Sequence, residues 1–469
     1  MINFSFNLID EPWIPCADLR GKYLKFGVRE LIMRAHKLRS IQHPNPLTEA
    51  ALLRILLALV HRSVDGPRNS REWKKLYQKG SFDERITLYL DKWRHRFDLF
   101  SSDAPFYQTL GLLVIDSSGK PVPQHITSIM FGVASGNNKT LFDHTTNKTS
   151  LKISPAEAAQ VLVTAQMFSL QGLNRKSTNL FGYQQSFLNA AMVSGIFIVL
   201  SGQSLFDTLM LNLLIYDDVE PIPNTPDDCP VWERVDVGGT SATTPKGYLD
   251  FLTCKCRHLL LVPEQDGADV FVQHIHIAQG EAFPPKVYNP GFIRRRKKDG
   301  NWYHPQLDVN RLVWRDSNAL FAFDEQSDLR PKAFHQVQSV KSLVNLPSRY
   351  ICTAYALANA QANPMAWRRE KLNIPLSLLT DRDIVAYLEK GMSISDKASG
   401  VLNTAIRTFI KEVLPENSKD VVEKTSATGA IQIYWDRLEN HFQQFLLELD
   451  DPEKALETWE TSVKRTVRE

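Results

Sequence analysis

No stretch of this 469-residue chain is apolar for long enough to cross a bilayer. The most apolar segment, residues 50–60, is interrupted by Arg54 and followed by His61 and Arg62. It is therefore expected to be a buried helix, since a span needs about 20 apolar residues. The N-terminus lacks the basic patch, apolar core and small-residue cleavage site of a secretory leader, carrying Asp10, Glu11 and two prolines instead, so a cytoplasmic protein is expected. Cysteine is scarce: the five residues form no paired framework, which suits a reducing compartment. Cys254-Lys255-Cys256 is the one close pair, and Cys16, Cys229 and Cys352 supply no second. A zinc ribbon needs two such pairs, so these read as two strand residues in an apolar run. The sequence also has no phosphate loop, no Gly-x-Gly-x-x-Gly, no His-Glu-x-x-His and no Gly-x-Ser-x-Gly elbow, which removes the commonest signatures of nucleotide, zinc and nucleophile chemistry.

What is present is a folding chain. Apolar residues make up 43%, aromatics 10% with nine Trp, and charged residues 23%, enough for a sizeable core and at least two domains. The net charge of +3 is unevenly spread. From Asp381 onward there are 12 Lys/Arg against 17 Asp/Glu, leaving a surplus of +8 in residues 1–380. Such asymmetry is compatible with a nucleic-acid-facing part joined to a more neutral helical one.

Residues 1 to about 30 read as short strands and turns: Phe4, Phe6 and Leu8 alternate with polar neighbours, and Gly21 lies between two short runs. Thr48 is a candidate N-cap for the run through Leu52, Leu53, Leu56, Leu57 and Val60, and Ser154-Pro155-Ala156-Glu157 forms a capping box. From about Pro221 to Pro347, short apolar runs between Pro, Gly and Asp turns predict a strand-rich stretch. After Pro375 the period becomes helical. Thr380 and Asp383 are spaced for a cap before Leu402, Ile406, Phe409, Ile410 and Val413. Ile431, Trp435, Leu438, Phe442, Phe445 and Leu449 form a 4-3-4-3-4 seam, and Asp451-Pro452 opens a last segment bearing Leu456, Trp459 and Val463. The expected fold is α+β: a large mixed α/β domain over 1–375, then an antiparallel four-helix bundle over 376–469.

Three clusters carry chemistry. His274 and His276 fall on one side of a possible strand without a third ligand, so packing is the simpler reading. Asp143-His144 is an acid beside an imidazole in a polar loop, a contact pair before it is a dyad. An enzyme, if this were one, would use His144, His274 or His276. Arg294, Arg295, Arg296, Lys297 and Lys298 precede Asp299-Gly300, between Phe292-Ile293 and Trp302-Tyr303. That is a hairpin signal, and five adjacent cations repel unless a polyanion neutralises them, which points to phosphate-backbone contact.

Several fragments occur in a family's order. They begin with Phe6-Asn7-Leu8-Ile9-Asp10-Glu11-Pro12-Trp13-Ile14-Pro15, followed by Pro105-Phe106-Tyr107-Gln108-Thr109 and Asn138-Lys139-Thr140-Leu141-Phe142-Asp143-His144-Thr145. Phe168-Ser169-Leu170-Gln171-Gly172-Leu173, Leu205-Phe206-Asp207-Thr208-Leu209 and Val313-Trp314-Arg315-Asp316 come next, then Gln361-Ala362 with Trp367-Arg368-Arg369-Glu370, and Tyr434-Trp435-Asp436-Arg437-Leu438-Glu439. Collinear from residue 6 to beyond 430, they make the chain resemble CasA, the large subunit of the type I-E CRISPR Cascade.

The resemblance implies a non-catalytic DNA reader with no cofactor, which senses the protospacer-adjacent motif (PAM) in duplex DNA and starts unwinding for guide pairing. It implies as partners the other Cascade subunits, the 5′ handle of the guide RNA, target duplex and a recruited helicase-nuclease. Three family elements map here. A glutamine wedge corresponds to Gln361 in Asn359-Ala360-Gln361-Ala362, where an ordinary helix-capping amide is the alternative; Ala360 stands where some members carry asparagine. A glycine loop falls at Gln171-Gly172, with Gln171 where the family often repeats glycine, and a plain turn glycine is the alternative. A lysine corresponds to Lys286 in Pro285-Lys286-Val287-Tyr288, with Arg294 to Lys298 as competing cations. Phe142, Asp143 and His144 fall on the loop that ties the family's subunit to guide RNA and the adjoining protein. Members with two cysteine pairs bind zinc; this chain lacks those pairs, so no metal is carried over.

Overall fold

The computed structural model describes residues 4–132, 151–173, 178–179, 181–183, 186–216, 227–234, 244–284, 287–297, 299–323, 329–360, 362–413 and 421–469. Near its start, Asn7 accepts from the Ile9 amide at 3.1 Å and the Trp13 indole donates to the Leu8 carbonyl at 2.9 Å, which folds the segment into a buried turn. Ile14–Asp18 and Tyr23–Phe26 then pair around Gly21, whose φ of +84° favours glycine. The strand expected from the Phe4, Phe6 and Leu8 alternation is not formed; a single bridge joins Asn7 to Asp98.

The apolar segment is a helix, Pro46–Ser63, and most of its residues are buried, Arg54 included. Its cap is Asn45, not Thr48: the Asn45 side chain accepts from the Leu47 amide at 2.9 Å, and Pro46 takes the first helical position, where a missing N–H costs nothing. Thr48 instead receives a hydrogen bond from Thr164 at 2.9 Å, on the neighbouring helix Pro155–Phe168. That second helix begins with the expected capping box of Ser154 and Glu157. The stretch from 221 to 347 is less strand-rich than expected. It holds a long antiparallel hairpin, Arg257–Asp266 with Asp269–Gln279, but also helices Tyr248–Leu252, Ser317–Phe321 and Lys332–Val340. Short apolar runs alone do not separate the two states.

A three-stranded antiparallel sheet divides two hydrophobic cores. Its central strand, Arg349–Ala360, pairs with Phe197–Ser201 on one side and Asn363–Pro375 on the other. Because strand side chains alternate between faces, Phe197, Val199 and Leu357 enter the core built on helix Pro46–Ser63. Ile198, Leu200, Cys352, Ala354 and Ala356 face the second core, with Trp435, Phe442 and Trp459 of the C-terminal helices. That second core runs across residue 375.

The C-terminal region comprises helices Arg382–Val413, Val421–Ala427, Ala430–Glu448 and Pro452–Arg468. The predicted seam is buried from Trp435 to Leu449, with Ile431 half-buried, and Asp451 caps the last helix with Pro452 at its first position. At the entry to the first, Asp381 accepts from the Asp383 amide at 2.9 Å, while the Thr380 hydroxyl turns back to the Leu376 carbonyl, so the cap lies one residue beyond Thr380. The stripe through Phe409 and Val413 stays 68% and 67% exposed: periodicity specified a face, not a covering for it.

Candidate nucleic-acid interface

The central sheet projects its longest arm outward as a hairpin, paired from Arg349 with Pro375 to Ala360 with Asn363. Beyond Tyr355, where the pairing with Phe197 ends, the hairpin runs on as a two-stranded arm, and the base of that arm is pinned to helix Pro46–Ser63 through one buried carboxylate. Glu49 accepts from Arg369 at 2.5 Å, from the Tyr355 hydroxyl at 3.4 Å and from the His43 amide at 2.9 Å. Burial, then the adjoining Glu49, pushes the Tyr355 pKa up, which keeps this hydroxyl a donor. Toward the tip the protein lets go. Ala360, Ala362 and Asn363 are exposed, and Met365 is 61% exposed. Residues 361 and 362 separate the two strand ends, and a register shift at Asn359 bends the arm there. Gln361 lies outside the described residues, between the strands Arg349–Ala360 and Asn363–Pro375. Two positions nearer the tip than Arg369, Trp367 meets Phe131 edge to face at 6.0 Å, and Gly132 sits against the same ring. Those two residues lead into the segment bearing Phe142, Asp143 and His144, which lies outside the described residues.

The glycine loop leaves the end of helix Pro155–Phe168. Gly172 pairs with Phe187 in a two-residue ladder, and Gln171 is exposed, its amide donating to Asn189 at 2.8 Å. A Cβ on Gly172 would meet only Phe187, at 3.8 Å, so no internal crowding demands glycine there. Arg257 organises this loop. It is 1% exposed and donates to the carbonyls of Leu170, Leu188 and Cys256 at 2.9, 2.5 and 2.7 Å; burial pushes its pKa down to about 10. Sequence reasoning missed it, although a lone arginine opening the apolar run His258-Leu259-Leu260-Leu261-Val262 was a signal.

The basic cluster does form a hairpin. Arg295–Arg296 pairs with Trp302–Tyr303, and Gly300 has φ +84°. The five cations are not a uniform solvated strip, however. Arg294 is buried, stacked 4.2 Å above the Tyr288 ring, and Arg295 is ion-paired with Asp316. Arg296 and Lys297 are the exposed pair, Lys298 lying outside the described residues. At the root, Ile198 donates to Gly291 at 2.8 Å and Ile293 to Ile196 at 3.2 Å, so both hairpins are tied to the strand Phe197–Ser201. Lys286 also lies outside the described residues; its neighbours Tyr288 and Asn289 are buried.

The remaining candidates that the structure describes make contacts within the fold. His276 is buried and accepts from the Val114 amide at 3.2 Å, while His274 bonds Glu264 at 2.8 Å and lies against His125. Cys254 and Cys256 belong to the buried connector before the strand Arg257–Asp266, not to the strand, with sulfurs 3.5 Å apart. Among the described residues no group of three His, Cys, Asp or Glu side chains could hold a metal ion, and no helix is long and apolar enough to cross a membrane.

Known proteins share this arrangement. The chain is 30% identical to the CRISPR-associated protein CasA/Cse1 of Thermus thermophilus, over 98% of its own length and 90% of that protein. Among solved structures, Cse1 from Acidimicrobium ferrooxidans superposes with a TM-score of 0.83 at 24% identity, covering 100% of this chain and 93% of that one. Thermus thermophilus CasA gives 0.80 at 26%, covering 99% and 94%. A chain from a CRISPR RNA-guided surveillance complex gives 0.78 at 18%, covering 99% of each. The model of the CRISPR-associated protein Cse1 family matches residues 7–469, and with an overlap this complete the chain belongs to the Cse1 (CasA) family.

Proposed function

We propose that this chain is the non-catalytic large subunit of a type I-E Cascade, assembled with the other subunits and the guide RNA, and that it reads the PAM in target duplex and opens it. The observation that carries the reading is the long hairpin: a rigid arm, fixed at its base by Glu49 and bare at its tip, on which Gln361 lies between the strand ends. A side chain driven between base pairs costs a few kcal/mol of unstacking, and a wedge works only if its mount does not yield first. Gln361 acts as that wedge, with Asn359 and Ala360 beside it. Gly172 and Gln171 approach the minor groove, and the space around Gly172 leaves room for a base edge. Lys286 reaches minor-groove acceptors, which are nearly alike for A·T and T·A. Arg296 and Lys297 hold the backbone, with Lys298. The loop of Phe142, Asp143 and His144 anchors the subunit to the guide RNA 5′ handle, and its root against Trp367 couples anchoring to the wedge. The chain divides at residue 375, and the C-terminal helices act as a four-helix bundle that passes the DNA-bound state to a helicase-nuclease.

The test is to assemble the guide-RNA complex with Gln361→Ala or Lys286→Ala and measure binding to a target duplex with and without its PAM. Loss of more than about tenfold in affinity, each tenfold being about 1.4 kcal/mol, supports the assignment. Wild-type binding by both variants sinks it, and parental binding that ignores the PAM would point to a scaffold subunit.

A further inference from the structure

The two short strands of the glycine loop, Gly172–Leu173 and Ser186–Phe187, are joined by residues 174–185. Within that connection Thr178–Asn179 pairs with Val114–Ile115, and the turn that follows is held by one buried amide. Asn179, 5% exposed, accepts at Oδ1 from the Phe181 and Tyr183 amides, both at 3.1 Å, and donates from Nδ2 to the Tyr183 carbonyl at 2.8 Å. Gly182 lies between them with φ +70°, a left-handed conformation that favours glycine. The reversal lays the rings of residues 181 and 183 on one another. Their centroids are 5.3 Å apart with the planes 15° from parallel, and Tyr183 in turn lies 3.9 Å from the buried His258 ring at 6°. His258 Nδ1 is 2.8 Å from the Thr109 hydroxyl, so the inner end of this three-ring stack is fixed to the core. The outer end is not covered. Phe181 is 50% exposed although Tyr183 occupies one of its faces, which leaves the other face open.

A ring held this way is in position before anything binds, so little further ordering is needed when a flat partner joins the stack. A nucleobase is such a partner, and because every base has a π-face an aromatic platform takes it without reading sequence. The charge of the segment agrees. From Ala158 to Phe206 the chain contains no Asp or Glu, and its only Lys and Arg are Arg175 and Lys176, so the phosphates flanking a bound base meet no acid from this stretch. Asp116, just beyond the paired Ile115, is turned into its own loop, where it accepts from the Ser118 and Lys120 amides at 2.8 and 3.0 Å. Bases inside an intact duplex are covered on both faces, so only an unpaired one can lie on the ring. We infer that the open face of Phe181 takes an unpaired nucleobase of target DNA, freed as the duplex opens beside Gly172. The inference rests on the DNA-opening reading above and adds to it a place for a base that has left the stack.

The experiment uses the assembled guide-RNA complex and a pre-opened target, mismatched next to the PAM, with 5-iododeoxyuridine placed singly along the unpaired stretch of each strand. Long-wavelength irradiation couples this base to an aromatic ring stacked on it, and mass spectrometry of the digested complex locates the bond. The expected result is a crosslink on Phe181 from one of these positions. Phe181→Leu keeps an apolar side chain and removes the π-face; it should abolish that crosslink and weaken binding of the pre-opened target about tenfold, whereas Phe181→Tyr should stay within about twofold of the parent. Because Phe181 also stacks on Tyr183, thermal melting of both variants is recorded alongside. Parental affinity in Phe181→Leu, or crosslinks that fall only on other residues, overturns the inference. Gln361→Ala, measured on the fully paired duplex, separates the two readings. If it loses affinity while Phe181→Leu is inert on the pre-opened target, the base platform fails alone; if neither variant differs from the parent, the DNA-opening reading fails with it.

Discussion

Both hairpins hang from the strand Phe197–Ser201, yet they are held and charged differently. The long one spans Arg349 to Pro375 and fastens its base through a buried carboxylate, leaving a tip with an exposed methionine and no cation from Asn359 to Met365. The basic one is short, and its cations are graded: Arg294 and Arg295 are spent on ring and carboxylate contacts near the root, and Arg296 and Lys297 are exposed at the end. Stiffness without charge suits insertion, where force must be transmitted; charge on a short ribbon suits grip, where affinity comes from phosphates. The contrast teaches that two hairpins on one strand can differ in stiffness and charge through how each base is held.

The largest expected effect is at the base of the long hairpin. Glu49→Ala would leave Arg369 and the buried Tyr355 hydroxyl unmatched, and breaking a buried pair from one side costs about 3–5 kcal/mol. Arg369 is 36% exposed, so water recovers part of this and about 2–3 kcal/mol is expected, read from urea unfolding. Asp316→Ala tests the other base. Its two arginine partners are about one-third exposed and hydrate once released, so about 1–2 kcal/mol is expected. If Asp316→Ala costs as much as Glu49→Ala, the two hairpins are not anchored differently and the contrast falls.

A third variant separates grip from stability. Arg296→Ala combined with Lys297→Ala changes exposed side chains only, so unfolding should move by less than about 0.5 kcal/mol. Duplex binding by the assembled complex should lose about 1.8 from its log–log salt slope, about 0.9 for each phosphate contact removed. An unchanged slope would take these two residues away from the DNA backbone.

The legible part of this protein was whatever local chemistry dictates. The capping box at Ser154 and Glu157, the seam from Trp435 to Leu449, the Asp451-Pro452 start and the Asp299-Gly300 turn each follow from neighbours within a few residues, and each is where the sequence places it. Thr48 and Thr380 failed by one to three positions because Asn45 with Pro46 and Asp381 compete for the same termini. What could not be read was long-range pairing. Nothing near Glu49 announces Arg369, 320 residues away, and nothing near Arg257 announces the carbonyls of Leu170 and Leu188. Likewise the row of five cations was visible, but not that Tyr288 and Asp316 would occupy two of them.

Met365 gives the smallest and sharpest comparison. Its side chain is 61% exposed beside the tip, a position where an apolar group gains nothing from the folded protein, so Met365→Ala should leave unfolding within about 0.5 kcal/mol. Apolar side chains that enter a base step help to unstack it. If the tip is the inserting element, the variant should slow target opening a few-fold while binding to a pre-opened, mismatched target stays normal, as followed by 2-aminopurine fluorescence at the PAM-proximal step. The exposed cations of the basic hairpin should show the reverse, with Arg296→Ala and Lys297→Ala lowering affinity for both targets equally. Equal losses on both targets from Met365→Ala would make the long hairpin a second grip, and the division between a stiff uncharged arm and a short charged one would no longer describe how this subunit meets DNA.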